Sequence, residues 1–137
     1  MPKFSAESFT KLSTCHIDLQ VLFFEIIKNV DCMILVGHRN EIEQEEAFRK
    51  GYSKLHFPHG KHNSIPSMAL DACLYPPDLP SIKQSHFFGG YVLGISQKLK
   101  EEGKMSHSVR WGGSWDGLGK LDTDNELADY DHFELIE

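Results

Sequence analysis

Residues 60–75, Gly60-Lys61-His62-Asn63-Ser64-Ile65-Pro66-Ser67-Met68-Ala69-Leu70-Asp71-Ala72-Cys73-Leu74-Tyr75, pass from a polar loop into an apolar run. Pro58, Gly60 and Pro66 mark the first half as irregular, and Pro76-Pro77 stop the second, so residues 68–75 read as a buried strand. Asp71 stands in the middle of that strand. A carboxylate in such a run is costly to bury unless it is paired or bound to a metal. Near the other end of the chain, His132-Phe133-Glu134-Leu135-Ile136 alternates, with His132 and Glu134 on one face of a strand and Phe133 and Leu135 on the other.

His62, Asp71 and His132 together fit the donor inventory of a catalytic zinc site, which takes three side chains from His, Asp, Glu or Cys and keeps one position for water. Their spacing matches no tight local motif, so a second reading stands beside the first: a loop histidine, an aspartate in a buried hydrogen bond and a strand-edge histidine. His56 and His59 form a rival His-x-x-His, with no acid at a fitting spacing after them. Asp122-x-Asp124 resembles part of a calcium loop, but the glycine and distal glutamate of that pattern are misplaced.

Outward from these stretches, the chain alternates helices and strands. Residues 5–13 are expected to form a short helix starting at Ser5. Leu19, Leu22, Phe23, Ile26, Ile27 and Val30 recur at threes and fours, predicting a core helix over 16–30. Cys32-Met33-Ile34-Leu35-Val36 predicts a buried strand ending at Gly37. Residues 41–50 place acids first and Arg49-Lys50 last, a surface helix that Gly51 can end. A helix over 83–102 should bury Phe87, Phe88, Tyr91, Val92, Ile95 and Leu99, with glycines allowing close packing. Residues 108–111 form another strand before Gly112-Gly113, and the acidic stretch 114–131 reads as an exposed loop.

The 137 residues suit one domain, with 40% hydrophobic and 25% charged residues. A formal net charge of −6 argues against nucleic acid as a partner, since phosphate binding needs clustered cations. Cys15, Cys32 and Cys73 are odd in number and lack a Cys-x-x-Cys, which predicts reduced thiols. No apolar stretch follows Lys3 as in a secretory signal, and no run reaches the roughly 18 apolar residues of a membrane span. The expectation is a single-domain monomer without a membrane anchor or a separate wall-binding domain, stored in the cytoplasm.

Gly37-His38-Arg39, Lys61-His62-Asn63 with Pro66-Ser67-x-Ala69-x-Asp71, Arg110-Trp111-Gly112-Gly113-x-Trp115 and Asp129-x-x-His132-Phe133-Glu134 occur in order over about residues 12–136. In this the chain resembles the zinc peptidases that group D-alanyl-D-alanine carboxypeptidases with bacteriophage L-alanyl-D-glutamate endopeptidases, and most of all the single-domain phage endolysins. The resemblance implies an α+β, hedgehog/DD-peptidase-like fold: a small antiparallel sheet, with donors on one face and helices on the other. It implies Zn2+ on His62, Asp71 and His132, Asp129 as catalytic base and Arg39 as the group that binds substrate and the developing oxyanion. Asp131 competes for the role of base, because spacing alone does not separate the two. Glu134 is expected to orient a zinc histidine, His38 to be structural or supporting, and Trp111 and Trp115 to wall the cleft or fill the core. The implied substrate is the stem peptide of bacterial peptidoglycan, cut at L-Ala–D-Glu, by an enzyme let out of the host cytoplasm across the inner membrane. Alternatives are a D-alanyl-D-alanine carboxypeptidase, a non-catalytic zinc-bearing binding module and a virion-attached structural role. Gly60 and Ser114 depart from the family, which often has Ser and Asp there.

Overall fold

The computed structural model describes residues 2–77, 82–115 and 129–137. Helices α1 (Ala6–Leu12) and α2 (Ile17–Ile26) come first, followed by strand β1 (Cys32–Val36) and helix α3 (Glu41–Arg49). A 3₁₀ turn (Lys61–Asn63), β2 (Ala69–Leu74), α4 (Ile82–Glu101), β3 (Ser108–Gly112) and β4 (Asp129–Ile136) complete the described order. The strands lie in the order β1-β2-β4-β3, and all three pairings are antiparallel. The α+β expectation therefore holds, and a parallel α/β sheet does not.

Strand alternation divides the sheet into two faces. Ile34, Leu70, Ala72, Phe133 and Leu135 are buried beneath the helices, where α2 adds Leu19, Leu22, Phe23 and Ile26 and α4 adds Phe88, Val92 and Leu99. Phe23, Phe88 and Phe133 meet at ring separations of 5.9–6.5 Å, in tilted and edge-on contacts favoured by the aromatic quadrupole. Asp71, His132 and Glu134 point to the opposite face.

Most predicted elements are present, with four differences. α2 ends at Ile26, not at 30, because its last turn tightens: Lys28 N–H donates to Glu25 O and Asn29 N–H to Ile26 O. Val30 still packs against the core. Phe87, expected inside, is 58% exposed, whereas Phe88 one position on is buried. Among the α4 glycines, Gly89 is the one that packs closely: a Cβ there would come within 2.3 Å of the Trp111 ring. The last difference matters most for the site. Strand β4 begins at Asp129, so residues 129–131 belong to the sheet and are half-buried, not to an exposed loop. The rest of that stretch, from 116, and the Asp122-x-Asp124 pattern lie outside the described residues.

Candidate metal centre and catalytic cleft

β2 and β4 pair with Asp71 directly opposite His132, so residues far apart in sequence become cross-strand neighbours on the open face. His62 arrives from the 3₁₀ turn. Asn63 secures that turn: its Oδ1 accepts from Gly60 N–H (2.8 Å), and its Nδ2 donates to Gln44 Oε1 (3.0 Å) and Arg39 O (3.2 Å). Gly60 fits this packing tightly, since a Cβ would lie 2.8 Å from Asn63 Oδ1.

Both imidazoles have their tautomer set from behind. His62 Nδ1–H donates to Gly37 O at 2.8 Å, which leaves the Nε2 lone pair free. That Nε2 is buried without a hydrogen-bond partner and lies 3.3 Å from Asp71 Oδ1. His132 Nε2–H donates to Glu134 Oε1 at 2.8 Å, which turns Nδ1 towards Asp71 Oδ1 at 3.2 Å. Three acceptor atoms therefore converge within 4.8 Å of one another. Lone pairs so placed repel unless a cation lies between them, so the donor set fits a divalent metal. Burial opposes the His132 charge, but hydrogen bonds to Asp71 and Glu134 outweigh it and raise His132 to about 9. Burial likewise opposes the Asp71 charge, yet the two histidines hold its carboxyl far below the usual range.

Glu134 is itself held in place. Burial works against its charge, but His132 and Arg110 (Nη2, 2.6 Å) keep it ionised and lower it to about 2. Arg39 Nη2 lies 3.7 Å from Asp71 Oδ2, at the edge of the donor cluster.

An irregular pairing in the sheet aims Asp129. Trp111 pairs with Phe133, yet the next residue, Gly112, pairs with Asp129, so β4 bulges over 130–132. Three extra residues reverse the alternation, which brings Asp129 round to the His132 face and sends Tyr130 to the core side against Trp111 and His86. Gly112 is required there, because a Cβ would fall 2.1 Å from Asp129 O. Burial, then the Asp71 charge, raise the Asp129 carboxyl, and His132 and His62 pull it back. Asp131 is pushed up to about 6 by burial, Asp71 and Asp129. Both acids line the cleft, which holds about 780 Å³ and also runs past Arg39, Lys54, Lys61 and Trp115.

The two tryptophans divide between the two expectations. Trp111 is buried and donates its indole N–H to Tyr130 O (2.8 Å), whereas Trp115 lines the cleft, 5.7 Å from the His132 ring. His38 contributes a backbone N–H to Thr14 Oγ1. His56 pairs with Glu45 (2.7 Å) and stacks on Phe48, away from the metal donors, and His59 joins no donor group among the described residues. Ser114 is buried and bridges to Trp111.

A second His-Asp-His cluster, His16, Asp18 and His107, escaped the sequence reading. Asp18 and His107 lie 89 residues apart, and no local pattern announces the cluster.

A model of the phage L-alanyl-D-glutamate peptidases matches residues 1–136. Among solved structures, the L-Ala D-Glu endopeptidase ChiX of Serratia marcescens shares the fold, with a TM-score of 0.66 and 22% identity over 98% of this chain and 90% of that one. No curated protein matches the chain.

Proposed function

The chain belongs to the phage L-alanyl-D-glutamate peptidase family, and we propose that it cuts the L-Ala–D-Glu bond of peptidoglycan stem peptides with zinc held by His62, Asp71 and His132. The observation that carries this reading is the convergence of three acceptors, His62 buried and Asp71 and His132 half-buried, with the two imidazole tautomers set by Gly37 O and Glu134. Zinc bound there supplies Lewis acidity, which makes water acidic near neutral pH and polarises a carbonyl.

The chain's own groups do the rest. Asp129 takes the proton of the attacking water and delivers it to the leaving amine, a shuttle that suits a carboxyl raised towards neutrality by burial. Asp129 is preferred to Asp131 because the bulge turns it onto the His132 face and its charge couples to His62 and His132 as well as to Asp71. Arg39, secured through its backbone to His62 O and Asn63, faces the negative charge that develops on the carbonyl oxygen. The enzyme acts on the cell wall as a single catalytic domain and a monomer. It waits in the host cytoplasm until release across the inner membrane. No described helix is long and apolar enough to cross a membrane.

Zinc content and digestion of purified peptidoglycan, with products read by mass spectrometry, test the proposal. Wild type should carry about one zinc and release new L-alanine carboxyl ends and D-glutamate amino ends, while Asp129→Ala keeps the metal and loses activity by about 10³-fold. Release of free D-alanine instead would move the specificity to a carboxypeptidase. Zinc binding without any cleavage would overturn the enzymatic reading.

A further inference from the structure

Two cavities flank Leu35 and Asp131. Beside the catalytic cleft lies a smaller one of about 230 Å³, walled by Leu35, Cys73, Pro77, Phe88, Tyr130 and Asp131. Leu35 and Asp131 line both, so the two cavities share a wall. The smaller cavity is apolar. Its lining, among the described residues, contains one charged side chain, Asp131, and no cation.

The other end of the cleft is cationic. Lys61 is already engaged there: its Nζ donates to Leu135 O and lies 3.5 Å from Glu134. Arg39 faces Asp71. Lys54 is exposed and makes no ion pair among the described residues, yet its backbone is well placed. Gln44, 1% exposed, donates through Nε2 to Ser53 Oγ and Leu55 O, both at 2.8 Å, and through Oε1 accepts from the Asn63 beside His62. One buried glutamine therefore ties the Lys54 segment to the metal-donor turn. Lys61 bonds to β4 beyond His132 and Asp131 precedes it, so His132 stands between Lys61 and Asp131 along the strand.

Resting on the function proposed above, we infer that the cleft has a fixed polarity: Lys54 receives the carboxylate of the D-glutamyl side, and the apolar cavity at Leu35 and Cys73 receives the neutral L-alanyl side with its N-acyl extension. An L-alanyl–D-glutamate bond has a methyl group on one side and a carboxylate on the other. A peptide laid the opposite way would press its carboxylate against Asp129 and Asp131 and leave Lys54 facing a methyl. Such repulsion selects direction as effectively as attraction does.

Hydrolysis of N-acetyl-L-Ala-γ-D-Glu-L-Lys is compared with that of the same peptide carrying the glutamyl α-carboxylate as an amide. Binding of both is measured by calorimetry on zinc-loaded Asp129→Asn protein. Lys54→Met should raise KM and Kd for the acid about fivefold, the size of a partly exposed charge-assisted contact, and leave the amide unchanged. Cys73→Phe, or Cys73→Leu if the ring prevents folding, should penalise an N-hexanoyl peptide more than the N-acetyl one. Equal effects of Lys54→Met on acid and amide, no effect on either, or equal penalties on both acyl chains would overturn the polarity. If the acid peptide binds with the expected Lys54 dependence but wild type leaves it uncut, the peptidase reading fails and the polarity stands. If it is cut without that dependence, the polarity alone fails.

Discussion

Two clusters in this molecule have the same composition, two histidines and an aspartate, and opposite character. In His16, Asp18 and His107, His16 Nδ1 and Asp18 Oδ2 both have donors. His16 Nδ1 caps helix α2 by accepting from Asp18 N–H (3.0 Å). Asp18 Oδ2 accepts from Ser106 N–H and Oγ–H (both 3.0 Å), His107 N–H (2.9 Å) and His107 Nδ1–H (2.8 Å). The cluster is a clamp that fastens the start of α2 to the segment before β3. In His62, Asp71 and His132, Gly37 O and Glu134 hold the outer N–H groups, which leaves His62 Nε2 buried without a partner and His132 Nδ1 directed at Asp71 Oδ1. The difference teaches that residue type nominates both clusters alike, while the hydrogen-bond partners set them apart.

The comparison breaks most visibly at the metal donors themselves. His62→Ala should lose zinc and at least about 10³-fold in kcat/KM, whereas His107→Ala should keep both, as read by metal analysis and wall digestion. If His107→Ala also loses zinc, the two clusters are not different in kind. A chelator should lower the Tm of wild type and of His107→Ala but leave His62→Ala unmoved.

A smaller effect is expected from the group that sets the His132 tautomer. Glu134→Gln should weaken zinc by about 10-fold in competition with a chelator, since ligand-orienting partners are typically worth 10- to 100-fold. Unchanged affinity would mean that Glu134 serves Arg110 and not the metal.

The clamp should show itself in stability alone. Asp18→Asn should cost about 2 kcal/mol at pH 7 in urea denaturation, with zinc content unchanged. Burial opposes the Asp18 charge, but the His107 and Ser106 donors win, so its folded pKa lies below the ordinary 3.8. A depressed carboxyl contributes fully above its unfolded value and loses that contribution as pH falls through the folded one. The gap between wild type and Asp18→Asn should therefore be constant near neutrality and close below about pH 4. A gap that widened on acidification would contradict the clamp. Least of all should happen at the exposed rival donor: His56→Ala should leave zinc unchanged and stability within about 0.5 kcal/mol.

The legible parts of the fold were those written in local periodicity. Strand β1 runs from Cys32 to Val36 as read, Ser5 caps α1 by accepting from Ser8 N–H, and Gly51 and Gly103 close α3 and α4 at positive φ. Elsewhere local patterning misled. The acids of 129–131 look like loop, but pairing with Gly112 makes them strand. Phe87 and Phe88 are chemically equal, and the direction of α4 against the sheet chooses Phe88 for the core.

By itself the sequence determined which segments are helix or strand, which side chains are metal donors by type and, through its ordered motifs, the family. These depend on residue identity and on neighbours within a few positions. Tertiary structure alone decided which of two His-Asp-His sets leaves a buried imidazole nitrogen without a partner, that Asp129 turns to the His132 face, and that Trp111 fills the core while Trp115 walls the cleft. The physical reason is common to all three. Each depends on partners distant in sequence: Gly37 lies 25 residues from His62, Asp18 lies 89 from His107, and Gly112 sits across the sheet from Asp129. Local propensity carries no record of such pairings, and only packing brings them together.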